Sequence, residues 1–253
     1  MASPPNAAPA TAAPVRRMSS AARIVGVFVS PGKTFADIVA EPHFIQAYCV
    51  IAVLALGSAY ALLHRVGAYA LARQGVMMSA SGRVLSPDQL NKAIAAGAKV
   101  LSISFYAAPL TQLVLLLFLA LIFLGIANFL LGHEATYKQA LAITVHAYLA
   151  QALYVALLIL VLYLMPNPQA MQITNPLGTN LGYFLDSSTT SPFLYAMATR
   201  LDLFTVWTIV LLSIGLSKLG RKGKFAGAFW AVFSLWLFYA LVVSGITAAF
   251  TAA

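Results

Sequence analysis

Lys218, Arg221, Lys222 and Lys224 place four cationic groups within seven positions, between two apolar runs. Such a cluster attracts anionic lipid headgroups or an acidic protein surface, and it also holds a span end on the cytoplasmic side. Binding and topology are served equally by one patch. Asp202, Arg200 and His146 are the ionisable groups nearest the apolar interior. Lining one path, they would pass a proton or an ion. Singly they have plainer roles. Asp202 suits a helix start, where the backbone dipole favours negative charge. Arg200 is two residues away and points to a different helix face. His146 has no His or carboxylate three or four residues on to complete a metal set. An interhelical hydrogen bond to Gln112, Asn128 or Gln151 is its expected role. His133-Glu134 reads as a solvated turn. Cys49, the single cysteine, lies in an apolar run and reads as a small packing residue.

No catalytic constellation accompanies these groups. His133-Glu134 is followed by Tyr137 where a zinc-protease motif needs a second His, and no paired acidic residues lie inside the apolar runs. No cofactor site is expected. Coupled transporters carry broken helices and paired repeats near the midplane. Five spans do not divide into two equal halves.

The elements that must position these residues follow from solvent. Hydrophobic residues make up 61% of the 253 residues and charged residues 8%, against roughly 25% charged in a soluble domain. So few charges leave a water-facing surface uncovered, so lipid must serve as part of the solvent. The expected fold is all-α and polytopic: five transmembrane helices plus a short N-terminal amphipathic helix in the membrane interface. A span needs about 20 apolar residues, and the runs place spans near 44–64, 103–131, 140–165, 197–217 and 225–250. They fill one domain over 21–252.

Residues 1–20, rich in Ala and Pro, read as a disordered cytoplasmic tail. Arg16-Arg17 precedes no uninterrupted apolar core, so neither a cleavable signal nor a twin-arginine signal is expected. Ser30-Pro31 restarts a helix, with Ser30 as N-cap and Pro31 at the first helical position. Lys33 and Asp37 are expected to face water, and Pro42 ends the element. Ser81-Gly82 marks a turn. Ser86-Pro87-Asp88 starts a helix leading toward the second span, where Pro109 could kink it. Gly223 and Gly227 have G-x-x-x-G spacing at the rim of the last span, a weak dimerisation signal that leaves homo-oligomerisation open.

Net charge is +9. A nucleic-acid interface would need a basic face on a soluble fold, so nucleic acid is excluded as a partner. With the N-terminus inside, nine basic residues fall on the cytoplasmic side and six outside. The first outer loop opposes this orientation. The basic quartet decides it, because four such residues are hard to translocate. The expectation is N-terminus cytoplasmic and C-terminus outside.

Three stretches carry a family resemblance. Phe28-Val29-Ser30-Pro31-Gly32-Lys33-Thr34-Phe35, with Ile38 and Pro42, is similar to an opening S-P-x-x-x-F element. Thr136-Tyr137-Lys138-Gln139-Ala140-Leu141 leads into the third span. Leu201-Asp202-Leu203-Phe204-Thr205-Val206-Trp207, running on to Ile214-Gly215-Leu216, is similar to a D-x-F-x-x-W…L-x-x-I-G-L signature. Together they resemble the Yip family, named for Ypt/Rab-interacting proteins, and its bacterial members in particular. The resemblance covers roughly residues 20–250 and implies five transmembrane helices and a cytoplasmic N-terminus. Many members carry a proline early in the third span, whereas His146-Ala147-Tyr148-Leu149-Ala150-Gln151 has none. Eukaryotic members bind prenylated Rab GTPases. The D-L-Y-G-P type motif they carry is not present here, and Rab binding is not carried over. The expected function is that of a noncatalytic inner-membrane scaffold that binds anionic lipid or a cytoplasmic protein partner. The alternatives are a small transporter or channel through Asp202, Arg200 and His146, and a lipid-acting membrane enzyme.

Overall fold

The computed structural model describes residues 17–79, 84–171, 175–220 and 223–252. Among these no strand forms, and a single antiparallel bridge joins Asn180 to Asp202. The helices are α1 (Ser20–Val29), α2 (Pro31–Ala40), α3 (Ile45–Arg65), α4 (Ala68–Met78), α5 (Pro87–Gly125), α6 (Tyr137–Ala147), α7 (Leu149–Leu164), α8 (Pro192–Arg200), α9 (Leu203–Ser217) and α10 (Phe225–Ala252). A π turn, Ile126–Leu130, extends α5. The tail 1–16, the Ser81-Gly82 turn, Arg221 and Lys222 lie outside the described residues.

Four helical segments are long and apolar enough to cross a bilayer: Ile45–Arg65, Pro87–Leu130, Tyr137–Leu164 and Phe225–Phe250. They mark a multi-pass membrane protein. The expected fourth span, 197–217, is divided. α8 stops at Arg200 and α9 begins at Leu203, because the backbone between them pairs sideways. Leu203 N–H donates to the Thr179 carbonyl at 3.0 Å, and Leu181 N–H donates to that of Leu201 at 3.3 Å. The 15 residues of α9 span only about 22 Å at 1.5 Å per residue.

Local rules explain the helix ends. Ser19 caps α1 through the Ala22 amide. The N-terminal stretch holds two helices where one was expected. Pro31, lacking an N–H, starts α2 at a position that needs none. Ser30 occupies the N-cap position, yet its hydroxyl makes no capping bond. At α5, Ser86 and Gln89 form a reciprocal capping box, and the helix runs through Pro109. The Tyr48 hydroxyl donates to the Pro109 carbonyl at 2.7 Å, tying α3 to α5. Thr136 and Gln139 cap α6 in the same way.

α6 is the central element. Every residue from Ala140 to Ala147 is buried, with α2, α3, α5 and α9 packed around it. α6 and α7 meet at Tyr148 (φ −70°, ψ −5°) without a proline. Backbone bonding continues across it, from Tyr148 N–H to Thr144 and from Ala152 N–H to Tyr148. Leu110, Val114, Phe118 and Leu121 of α5 are exposed along one side, as lipid contact requires. Cys49 is exposed as well, which corrects its reading as a buried packing residue.

Candidate functional site

The first two motif stretches meet the Ile214-Gly215-Leu216 end of the third at one end of the bundle. α2 lies across the start of α6 and the end of α9. Phe35 is fully buried there. Its ring lies so close to Gly215 that a Cβ on the glycine would stand 3.0 Å from Phe35 Cδ1 and overlap Ile143 Cγ2. The helices approach closely because position 215 has no side chain. Gln139 of the second stretch completes the junction: its amide donates to the Val39 carbonyl at the end of α2, at 3.1 Å. Tyr137 OH donates to the Leu117 carbonyl of α5 at 3.1 Å.

A charged network locks α1 onto α2 at this end. Arg23 is 5% exposed. Its Nε donates to Asp37 at 2.7 Å and one terminal nitrogen donates to the Glu41 carbonyl at 3.0 Å. The Met18 amide donates to the other Asp37 oxygen at 3.3 Å. Arg17 pairs with the Glu41 carboxylate at 3.0 Å on the exposed side. Asp37 therefore turns inward, where a water-facing role was expected; Lys33 is exposed as expected. The pair escaped sequence reading because the partners sit on different helices. The available signal was Arg23 on the face of α1 that also carries Gly26 and Val27, one turn further on.

Lys218 and Lys224 stand exposed at the same end, where α9 turns into α10. Lys138 is exposed at the start of α6. The turn also carries Gly223, where a Cβ would overlap the Ser217 carbonyl. Gly223 thus lies outside α10 and serves the turn, so the G-x-x-x-G spacing does not form a helix face.

The polar residues of the interior separate. His146 is buried, and its Nδ1 lies 2.8 Å from the Ala142 carbonyl of its own helix. A carbonyl only accepts, so Nδ1 carries the proton. The expected interhelical bond is absent: Asn128 holds the Ala135 backbone, and Gln151 donates to Thr205 and Thr208 of α9, each at 3.3 Å. Asp202 is the N-cap of α9. One oxygen accepts from the Phe204 amide at 2.8 Å and the other from the Thr179 hydroxyl. Arg200 donates to the Ala196 carbonyl at 2.6 Å and toward Thr247 of α10 at 3.5 Å. Asp202, Arg200 and His146 thus bond to three separate sets of partners. Asp202→Asn keeps a capping oxygen, so its thermal stability should stay near wild type. Asp202→Ala should lose about 1 kcal/mol, read by thermal unfolding in detergent.

At the opposite end, a cavity of about 500 Å³ lies between Met171, Asn175, Gly182, Tyr183 and Tyr195, with Asp186 at its rim. Asn175 donates to Tyr195 OH and Asn180 donates to Asn175, both at 2.9 Å. Asp186 is its single charged lining residue among the described residues. Among the described residues, no group of three His, Cys, Asp or Glu residues could hold a metal ion.

Apolar spans and a basic end define a helical multi-pass membrane protein. The model of the Yip1 domain matches residues 25–246, and the chain belongs to the Yip1-domain family. Neither a curated protein nor a solved structure matches it.

Proposed function

We propose that this chain is a noncatalytic scaffold of the bacterial inner membrane, which binds anionic lipid or a cytoplasmic protein at its basic end. The observation that carries this reading is the junction of α2, α6 and α9. The motif residues Phe35, Gln139 and Gly215 are used to assemble that end of the bundle, beside exposed Lys138, Lys218 and Lys224. The arrangement of His146, Arg200 and Asp202 supports it too, since each is bonded to its own partners within the chain rather than to one another. The topology is five crossings with the N-terminus cytoplasmic and the C-terminus outside. α8 and α9 together form the broken fourth crossing, both packing along α10. α1 and α2 lie in the cytoplasmic interface.

The test is purification in mild detergent of the wild type and of a variant with Lys218, Arg221, Lys222 and Lys224 all changed to Gln. Each basic side chain near an anionic surface contributes roughly 1 kcal/mol. The variant should lose most copurifying anionic lipid, or a copurifying protein, by mass spectrometry. Retention of both would refute the basic end as the binding surface. In proteoliposomes the wild type should show no proton or cation flux above empty vesicles. A flux abolished in Asp202→Asn would replace the scaffold reading with a transport one.

A further inference from the structure

The segment 175–186 exposes an unusual surface. Leu181, Tyr183, Phe184 and Leu185 are all exposed, Phe184 to 75%, and Phe193 and Leu194 of α8 continue the patch. These side chains stand in a stretch where charge is nearly absent. Three lengths fix where they lie. Asp202 bridges to Asn180, so its depth is also the depth of Thr179 and Asn180.

From the basic end, Asp202 lies the length of α9 away, about 22 Å, inside a hydrocarbon core of about 30 Å. From the opposite end, the marker is Arg65. It donates to the carbonyls of Leu162 and Met165 at the end of α7, each at 3.3 Å. Tyr154, eleven residues before Met165, lies about 16 Å below that level. Its ring packs edge-on against Phe204, with centroids 5.7 Å apart. Finally, α8 descends nine residues, about 13 Å, from Ser191 to Asp202. The turn that precedes it carries Asp186, whose carboxyl the hydroxyl and amide of Ser188 hold below the usual carboxylate range. That turn belongs in water.

We infer that residues 175–185 re-enter the bilayer from the side opposite the basic rim, reach the Asp202 level, and present Leu181 and Phe184 to the acyl chains of that leaflet. Irregular backbone at such depth must find partners inside the protein. It does so here: the Thr179 carbonyl takes the Leu203 amide, and Leu181 N–H reaches Leu201. Arg200, at the same depth, turns its guanidinium back along α8 toward Ala196, the course of a side chain reaching for the headgroups. Lipid is the occupant because the patch lies within a leaflet's thickness and is continuous with the exposed apolar face of α10 near Ile246 and Phe250.

The inference rests on the membrane-spanning reading, and the test separates the two. Cys49→Ala supplies a cysteine-free chain. Single cysteines are then introduced as Leu181→Cys, Phe184→Cys and Phe193→Cys, with Lys138→Cys and Ser187→Cys as controls. Each is spin-labelled and reconstituted in phosphatidylcholine–phosphatidylglycerol vesicles. Controls accessible from opposite faces establish the crossing by themselves. Labels at 181, 184 and 193 should then collide severalfold more with oxygen than with a water-soluble nickel chelate, the reverse of Ser187→Cys. Chelate access at 181 and 184 equal to that at 187 would overturn the inference. So would shielding from both reagents, which places protein on the patch. Three independent positions, each checked for monodispersity, keep the outcome clear of one misfolded variant.

Discussion

Asp37→Ala should destabilise the protein by about 3 kcal/mol, because it leaves the buried Arg23 guanidinium with only the half-exposed Glu41 carboxylate, 3.9 Å away, as counter-charge. The Arg23 side chain is 6% exposed and that of Asp37 is 16% exposed. Neither partner has enough water to compensate for the loss. The Met18 amide would lose its acceptor as well. Arg17→Ala provides the contrast. Its pair with Glu41 is 54% and 42% exposed, and exposed ion pairs contribute at most about 1 kcal/mol. A third variant separates charge from packing. Arg23→Met with Asp37→Leu removes both charges and keeps most of the volume, which buried pairs tolerate with little net loss. The measurements are thermal unfolding in detergent and limited proteolysis near the α1–α2 junction. Asp37→Ala should be cut early, while Arg17→Ala and the double variant should resemble the wild type. Asp37→Ala melting with the wild type would mean that α1 is not held by this pair.

The Arg23 network also shows where sequence reading ends. Apolar runs announce spans because each residue contributes to the same signal, and four helices long and apolar enough to cross a membrane emerged, although the second, expected near 103–131, begins at Pro87. The helix start at Ser86 was legible for the same local reason, since Ser86 and its Gln89 lie three residues apart, whereas the cap expected at Ser30 makes no capping bond. Arg23 and Asp37 belong to two helices whose crossing is set by the close approach of Gly26 to Thr34, and no local pattern encodes that geometry. The division of 197–217 was hidden likewise. Asp202 was legible as a helix-start residue, and it is one. The carbonyl that pairs beside it belongs to Thr179, 23 residues earlier in a loop. His146 was misassigned an interhelical bond because its own helix offered an acceptor four residues back. Polar groups inside apolar helices take the nearest carbonyl when geometry allows, as Thr144, Thr208 and Ser213 also do.

Gly215→Ala tests whether Phe35 of the first motif stretch and Gly215 of the third form one contact with Ile143 of α6. On helix propensity alone the change should stabilise α9 by about 1 kcal/mol. The added methyl would overlap Ile143 Cγ2 and press on the Phe35 ring, and overpacking of a filled core costs about 1–3 kcal/mol. Steric cost therefore decides the sign, and Gly215→Ala should be destabilising. Phe35→Ala, which empties a fully buried aromatic site, should cost about 3–5 kcal/mol. Ile143→Ala removes the methyl that the new Cβ would strike. The pair Gly215→Ala with Ile143→Ala should consequently be less destabilised than the two singles added together, with a coupling of about 1 kcal/mol or more in a double-mutant cycle. Strict additivity would place Ile143 and Gly215 out of contact. The same contact joins stability to the basic end. α2 is fixed there by Phe35 against α9 and by Gln139 at its last turn. Gly215→Val, with a larger side chain in the same gap, should lift α2 from α9 and expose the Arg23 network to proteases. Should anionic-lipid retention fall in Gly215→Val with all four basic residues intact, the surface would need this packing as well as its charge.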